Sequence, residues 1–278
     1  MLTNLSVACP VCGEAAPFVY AHSEANIHRC LNCTHAFSDP ASIKGMEKYS
    51  ENYYDEVHRN WFANPNIPLF QWVESRLPKT IRSLVDVGCG RGQFLDFLRS
   101  QRPDVRLVGV DLSTNNDRNG IEFHSGNVLE LELGKFDAVV SFATIEHIAE
   151  ANEFVARLHS LCNPGGMVFV MTLDESGLLY QAARLARRFG ISIAFDRLYS
   201  AHHLHHFTHK SLTHLLERNG LQVQQTLHHS IPVRAIDVPA QNFLRPVFIA
   251  AAATLLALGD VTGRSYLQTI VSVRPLEQ

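Results

Sequence analysis

Charge is scarce in this sequence, and neither sign dominates. Charged residues make up 18% of the 278 residues, and the formal net charge is −3 at pH 7. Proteins that attract nucleic acid broadly carry an excess of Lys and Arg, so this balance argues against a nucleic-acid partner. Hydrophobic residues reach 46%, which is ample for a core, and the length allows one large domain plus a small module.

Signals that would direct the chain to a membrane are also lacking. The N-terminus has no charged stretch followed by an apolar run, which is the pattern of a secretory signal. The longest apolar run, residues 246–259, is shorter than the roughly 20 residues that span a bilayer as a helix. We therefore expect a cytoplasmic protein without a transmembrane segment.

Cysteine spacing is the most informative feature near the N-terminus. Two of the six cysteines, Cys89 and Cys162, are isolated and are interpreted as small buried side chains. The other four form two C-x-x-C pairs separated by 17 residues, a pattern that predicts a four-thiolate zinc site. The predicted ligands are Cys9, Cys12, Cys30 and Cys33.

Other interpretations of these pairs are weaker. Disulfides are rare in a reducing cytosol, and a redox C-x-x-C needs only one pair followed by a helix. His28 and His35 are close enough in sequence to compete as ligands, but four cysteines suffice. A closed four-ligand site leaves no position for a substrate, so we expect the zinc to be structural.

A glycine-rich turn follows the first predicted strand of the main domain. Residues 84–92 read LVDVGCGRG, and the apolar spacing of residues 94–98 predicts a helix directly after them. Glycines at such a turn let the backbone approach a ligand closely. A dinucleotide fingerprint would place its third glycine at position 93, which is Gln93 here. The acid two residues before the first glycine, Asp86, also does not belong to that pattern.

The segments that follow the glycine turn indicate which kind of ligand-binding fold it belongs to. Residues 106–111 predict a second strand that ends in Asp111, an acid placed to accept hydrogen bonds from a ribose. A short third strand, a fourth strand at 136–142, and an Asn-Pro-Gly-Gly turn before a fifth strand at 167–172 come next. This ordered series resembles the motifs of class I S-adenosylmethionine (SAM)-dependent methyltransferases, and it covers residues 80–275.

The resemblance implies a set of residues that bind SAM. The glycine turn and Asp111 hold the donor, Asp86 orders the turn or contacts the methionine amine, and Asn127 caps the adenine amino group. The full expected set is Asp86, Gly88, Cys89, Gly90, Gly92, Asp111, Leu112, Asn127, Val128 and Phe142.

The zinc motif sharpens the resemblance. Cys-Pro-x-Cys-Gly, Arg29-Cys30, the later tyrosines Tyr49, Tyr53 and Tyr54, and the HHFT segment at 205–208 are similar to a bacterial subgroup. Its members join a zinc-binding segment to a class I methyltransferase core, often in sugar, polysaccharide or secondary-metabolite biosynthesis.

This resemblance implies an α/β fold. Its core is a Rossmann-like seven-stranded class I methyltransferase sheet, with a small N-terminal zinc-ribbon-like module. The expected domains are a zinc-binding module at 1–40, a helical linker or lid at 41–80, and the methyltransferase domain at 81–278. The oligomeric state stays open.

Several acids and histidines are candidates for a catalytic base. A hydroxyl or amine acceptor must lose a proton, and groups that follow strands four and five lie at the ligand-binding edge of the sheet. The candidates are Glu146, His147, His203, His205 and His206, of which we favour His147 and His206. A core or helix-capping role competes for each histidine. Some related enzymes hold a metal with Glu-x-x-Glu-His, but Ala143 stands at the first position here.

The sequence therefore predicts methyl transfer from SAM to a small-molecule or sugar-type acceptor, with O-, N- and C-methylation open. One alternative is an RNA methyltransferase that uses a zinc ribbon for recognition. The few Lys and Arg residues in the first 60 positions argue against it. A non-catalytic SAM-binding protein is the other alternative, and the intact glycine turn argues against that one.

Overall fold

The N-terminal cysteines lie in the turns of a small antiparallel sheet. The computed structural model describes residues 6–44, 59–113, 117–236 and 245–276. The chain enters through strands β1 (Ser6–Ala8), β2 (Ala15–Ala21), β3 (Asn26–Arg29) and β4 (Ala36–Ser38), each paired with the next. A short 3-10 turn, Pro40–Ser42, follows.

Two helices connect this sheet to the main domain. They are α1 (Arg59–Ala63) and α2 (Ile67–Glu74), and the Asn66 side chain caps α2 by accepting from the Leu69 N–H at 3.2 Å. Within the predicted helical linker or lid at 41–80, residues 59–63 and 67–74 are helical. Tyr49, Tyr53 and Tyr54 lie outside the described residues.

A seven-stranded sheet forms the centre of the molecule. Its strands are β5 (Ser83–Val87), β6 (Arg106–Asp111), β7 (Ile121–Ser125), β8 (Phe136–Phe142), β9 (Cys162–Leu173), β11 (Gln222–His229) and β12 (Leu267–Val273). The short strand β10 (His205–His206) lies between β9 and β11 in the chain and belongs to the N-terminal sheet.

The strand order is β11-β12-β9-β8-β5-β6-β7. Strands β5 to β9 run parallel, and β12 runs antiparallel between β9 and β11. Parallel strands covered on both faces read as continuous apolar runs, which is why the sequence revealed them. The predicted seven-stranded Rossmann-like sheet is confirmed, and β11 and β12 form an antiparallel pair at one end of it.

Six further helices complete the fold. They are α3 (Gln93–Gln101), α4 (Ala151–Leu161), α5 (Leu178–Arg188), α6 (Ile193–Leu198), α7 (His209–Arg218) and α8 (Arg245–Thr262). Thr208 caps α7 through a reciprocal capping box with Ser211. Short 3-10 turns occur at Ile145–His147 and Val233–Ala235.

Helix α5 begins at Leu178, after a local turn in which Asp174 accepts from the Ser176 N–H at 2.9 Å. One boundary differs from the sequence prediction, that of the fifth strand. Strand β9 begins at Cys162 rather than Met167. The ladder extends through the Asn-Pro-Gly-Gly segment because Arg274 exchanges backbone hydrogen bonds with Gly165 and Gly166.

The cysteine module and the main domain share one interior. Strand β10 pairs with β4, so the main domain contributes a strand to the N-terminal sheet. Val11 and Phe37 belong to the same buried cluster as Phe207 and Leu212. The residues before and after the predicted boundary near residue 40 therefore pack into one shared hydrophobic core.

Helix α8 corrects one expectation. The apolar run was predicted to be too short to span a bilayer, but the helix extends past it at both ends, over Arg245–Thr262. By length and composition alone, this described helix is long and apolar enough to cross a membrane.

Candidate active site

The glycine turn between β5 and α3 has a backbone that only glycine adopts easily. Gly88, Gly90 and Gly92 have φ values of 76°, 51° and 72°. A Cβ atom on Gly88 would lie 2.1 Å from Thr144 Oγ1. The N–H groups of Gly88 and Cys89 donate to the Val110 carbonyl at 2.8 and 3.1 Å, which fixes the turn against β6.

Asp111 lies beside this turn, at the end of β6. Its Oδ2 accepts a hydrogen bond from the Gly90 N–H at 2.8 Å, and its Oδ1 accepts from the Ser113 hydroxyl at 2.7 Å. The carboxylate is thus held at the carboxyl edge of the sheet, where ligands bind in open parallel sheets.

Asp86 is a buried carboxyl with an unused acceptor. It is 2% exposed, and Oδ1 has no hydrogen-bond partner among the described residues. Burial, with a smaller contribution from the negative charge of Asp111, raises the pKa of Asp86 to about 8. A buried acceptor without a donor is costly, so this position fits the ammonium group of a ligand.

One cavity of about 1130 Å³ opens at the turn. Every residue that the resemblance assigned to SAM lines it, except Gly92, which ends the turn as the N-cap of α3. The lining residues from that set are Asp86, Gly88, Cys89, Gly90, Asp111, Leu112, Asn127, Val128 and Phe142.

Three of the predicted base candidates line the same cavity, namely Glu146, His147 and His203. Glu146 is 1% exposed; its Oε2 accepts from the Thr172 hydroxyl at 2.7 Å, and burial raises its pKa. The rings of His147 and His203 are 5.1 Å apart. Burial lowers the pKa of each imidazole to about 4, so both are neutral at pH 7.

The other two candidates do not line the cavity. His205 lies in β10, where its Nδ1 is 3.0 Å from Nε2 of His35. His206 is fully buried with its ring 4.4 Å from that of Tyr199, and neither ring nitrogen has a partner within the described part of the chain. Both histidines lie away from the cavity because β10 pairs with β4 in the N-terminal sheet and does not end at the cavity.

The far end of the cavity is mainly apolar and was missed from the sequence. Helices α6 and α8 supply much of its wall. The apolar lining residues at this end are Ile193, Ala194, Ile231, Phe248, Ala252, Leu256 and Tyr266. Trp61 and Phe62, from the predicted helical linker or lid, also line the cavity, and Phe62 lies beside the glycine turn, where its carbonyl accepts from the Gln93 side chain at 2.6 Å.

The four motif cysteines converge at one point. Their Sγ atoms all lie within 4.8 Å of one another. The Cys9–Cys33 and Cys12–Cys30 sulfur distances are 3.5 and 3.4 Å. His28 and His35 point elsewhere, toward the Ala16 carbonyl and toward His205. None of the four cysteines lines the cavity.

The sequence places this molecule in a known family. Residues 47–226 match the family model described as a methyltransferase domain, so the chain belongs to that family. Together with the fold, this makes the protein a class I SAM-dependent methyltransferase, as the sequence predicted.

Curated relatives share part of the chain. The ubiquinone biosynthesis O-methyltransferase of Ralstonia nicotianae is 27% identical over 184 residues, which cover 59% of this chain and 74% of that protein. The enzyme of the same name from Thiobacillus denitrificans is 29% identical over 148 residues, covering 46% of this chain and 63% of its own length.

Solved structures share the fold. A chain from the complex between the Haloferax volcanii Trm112 methyltransferase activator and a methyltransferase gives a TM-score of 0.56 at 17% identity, covering 82% of this chain and 93% of that one. Phosphoethanolamine N-methyltransferase 2 of Haemonchus contortus, in complex with SAM, gives 0.55 at 16% identity, covering 84% and 62%.

Proposed function

We propose that this enzyme transfers the methyl group of SAM to an oxygen of a small-molecule acceptor with an apolar body. The observation that carries the proposal is one cavity that is lined by the glycine turn at one end and by a mainly apolar wall at the other. Relatives named as O-methyltransferases support an oxygen acceptor.

The donor end of the cavity fits SAM. Asp86 offers its unpartnered Oδ1 to the ammonium group, Asp111 offers its carboxylate to the ribose, and Asn127 lies where the adenine would bind. SAM supplies an already activated methyl group, so the protein mainly has to align donor and acceptor.

Removal of the acceptor proton falls to the groups between the two ends. The Nδ1 of His203 lies 3.0 Å from the Leu198 carbonyl, and the Nδ1 of His147 lies 2.6 Å from the His202 carbonyl. A carbonyl only accepts, so Nδ1 carries the hydrogen in both rings and Nε2 carries the lone pair. Either Nε2 can take a proton from an acceptor hydroxyl, and an ionised Glu146 would stabilise the resulting charge on His203.

We propose in addition that the four cysteines hold a structural zinc ion. Tetrahedral zinc with bonds of about 2.3 Å to sulfur places the sulfurs about 3.8 Å apart, close to the spacing of these thiols. Such an ion would stabilise the small sheet without touching the acceptor. The cytoplasmic location and the lack of a nucleic-acid partner stay predictions.

A crystal structure with S-adenosylhomocysteine, combined with an assay for its release, tests the proposal. The acceptor panel should contain phenols and alcohols of rising hydrocarbon content, with amines as a comparison. We expect product release with hydroxyl acceptors and a bound ligand whose sulfur faces Glu146, His147 or His203. Binding of SAM without turnover on any acceptor would favour the non-catalytic alternative.

A further inference from the structure

Helix α8 leaves most of an apolar surface uncovered. Of its 18 residues, only Leu256 and Gly259 are buried. Val247 is 63% exposed, Leu258 49% and Val261 86%. Folded proteins seldom expose several large aliphatic side chains along one helix unless the helix binds something.

The neighbouring helix extends this surface. Helices α5 and α8 pack together, and the Leu178 N–H at the start of α5 donates to the Arg264 carbonyl just after α8. At the other end of α5, large apolar side chains are again exposed. We call the combined surface the α5–α8 face, consisting of Leu185, Phe189, Ile191, Val247, Leu258 and Val261.

Three arginines flank this face. Arg188, Arg245 and Arg264 are exposed, and none of them forms an ion pair among the described residues. Two acids lie near them: Asp260, on α8 itself, accepts from the Ser230 hydroxyl at 2.8 Å, and Asp196 accepts from the Ser192 hydroxyl. Exposed apolar side chains flanked by arginines are the composition of a surface that binds anionic lipid headgroups.

The connections of α8 decide that it lies on a bilayer rather than through it. Strand β11 ends at His229 before the helix, and β12 begins at Leu267 after it. These strands pair with each other in one sheet. A single crossing by α8 would put them on opposite sides of the membrane, which their pairing forbids.

From this geometry we infer that the α5–α8 face docks the enzyme on an anionic membrane surface. The opposite side of α8 presents Phe248, Ala252 and Leu256 to the cavity. A docked enzyme would therefore hold the apolar end of its cavity next to the bilayer, and an acceptor with a hydrocarbon portion could enter from the lipid. That last consequence rests on the proposed function, whereas the docking does not.

Vesicle flotation with the full chain tests the docking without any acceptor. The probes are vesicles of phosphatidylcholine alone and vesicles that also contain phosphatidylglycerol. The test variant carries both Leu258→Glu and Val261→Glu. The control is Leu276→Glu, because the Leu276 side chain is 73% exposed and lies outside the α5–α8 face. A second variant, Arg188→Glu with Arg264→Glu, removes positive charge and leaves the apolar surface intact.

We expect the wild type to float with the anionic vesicles, and the partition coefficient to fall about tenfold or more in both double variants. The control should float like the wild type, and all variants should keep their SAM affinity, which shows that they are folded. Failure of the wild type to float, or equal flotation of the Glu variants, overturns the inference. So does a wild-type dimer that Val261→Glu dissociates, since the face would then join two copies. If the wild type does not bind SAM, the proposed function is contradicted, but the docking inference is not.

Discussion

The two ends of the cavity are built in different ways. The donor end comes from residues 86–128, where polar groups follow successive parallel strands and the backbone of the turn shapes the site. The proposed acceptor end comes from segments spread between Ile193 and Tyr266, and it is formed mainly by side chains of helices α6 and α8. Backbone geometry fixes the donor site, whereas helix packing shapes the acceptor site, so the acceptor can differ among enzymes that share one donor site.

Glu146, His147 and His203 lie where the two ends meet. The first two follow β8, and His203 follows α6 and precedes β10. A substitution at one end of the cavity could therefore affect the other end through these three side chains.

Gly88→Val should have the largest effect, and it should be confined to the donor end. A branched side chain is strained at a φ of 76°, and its Cβ would collide with Thr144, so the turn must move. We expect SAM affinity by calorimetry to fall about 1,000-fold, or about 4 kcal/mol.

Gly134→Val is the matched control for Gly88→Val. Gly134 has the same φ of 76° and nothing within 4 Å of a Cβ atom. It should lose some stability and keep SAM affinity. If both variants bind SAM like the wild type, the turn is not the donor site.

The difference between the two ends also explains what the sequence could reveal. The groups proposed to hold the donor could be selected from the sequence because each follows an apolar strand at a fixed spacing, as Asp86, Gly88 and Asp111 do. The apolar wall could not, since Ile193, Phe248 and Ala252 reach the same cavity only through tertiary packing. The sequence also gave no sign that β10 joins the N-terminal sheet, because two residues, His205 and His206, carry no strand periodicity.

Replacement of one proposed zinc ligand, Cys30→Ser, should act mainly on the acceptor end. The module contacts that end directly: Arg29 pairs with the buried Glu175, which also binds Arg184 and Tyr199. Glu24 accepts from the Ala201 N–H at 2.7 Å and lines the cavity. We expect loss of zinc by metal analysis and a fall of about 3 kcal/mol in the free energy of unfolding, with SAM affinity nearly unchanged.

Asn32→Ser serves as the control, because Asn32 lies in the same C-x-x-C segment and is exposed. It should keep both zinc and stability. Four free thiols without zinc in the wild type, purified without a metal-affinity tag under reducing conditions, would contradict the zinc proposal.

His203→Ala should affect turnover at the junction of the two ends and spare donor binding. Loss of a general base typically costs at least about 100-fold in kcat, which corresponds to about 2.7 kcal/mol. SAM affinity should stay within about twofold, since His203 is not among the groups expected to hold the donor. His147→Ala tests the alternative base, and His214→Ala, at an exposed position on α7, is the control. Full turnover in both test variants would mean that these histidines only position the acceptor or the wall.

The smallest expected effect is a pH dependence of SAM binding that comes from Asp86. The pKa of this carboxyl is about 8, so in the ligand-free protein it is largely protonated at pH 7. An ammonium ligand requires the carboxylate, and below pH 8 binding must therefore release a proton. SAM affinity should rise with pH by at most about tenfold per unit between pH 6 and 8 and then level off. Asp86→Asn should bind SAM weakly with no such slope.

The raised pKa of Asp86 should also make the stability of the ligand-free protein depend on pH. The folded pKa of Asp86 is raised above the ordinary value of 3.8, so its contribution to stability is fully present below pH 3.8 and is lost as pH rises toward 8. At pH 8.5, the free energy of unfolding of Asp86→Asn, measured by denaturant titration, should then exceed that of the wild type by about 1–3 kcal/mol. The two proteins should converge at low pH.

Calorimetry in buffers of different ionisation enthalpy measures directly the proton that Asp86 releases when SAM binds. Binding without proton release at pH 7 would show either that Asp86 is already ionised in the ligand-free protein or that another group receives the ammonium.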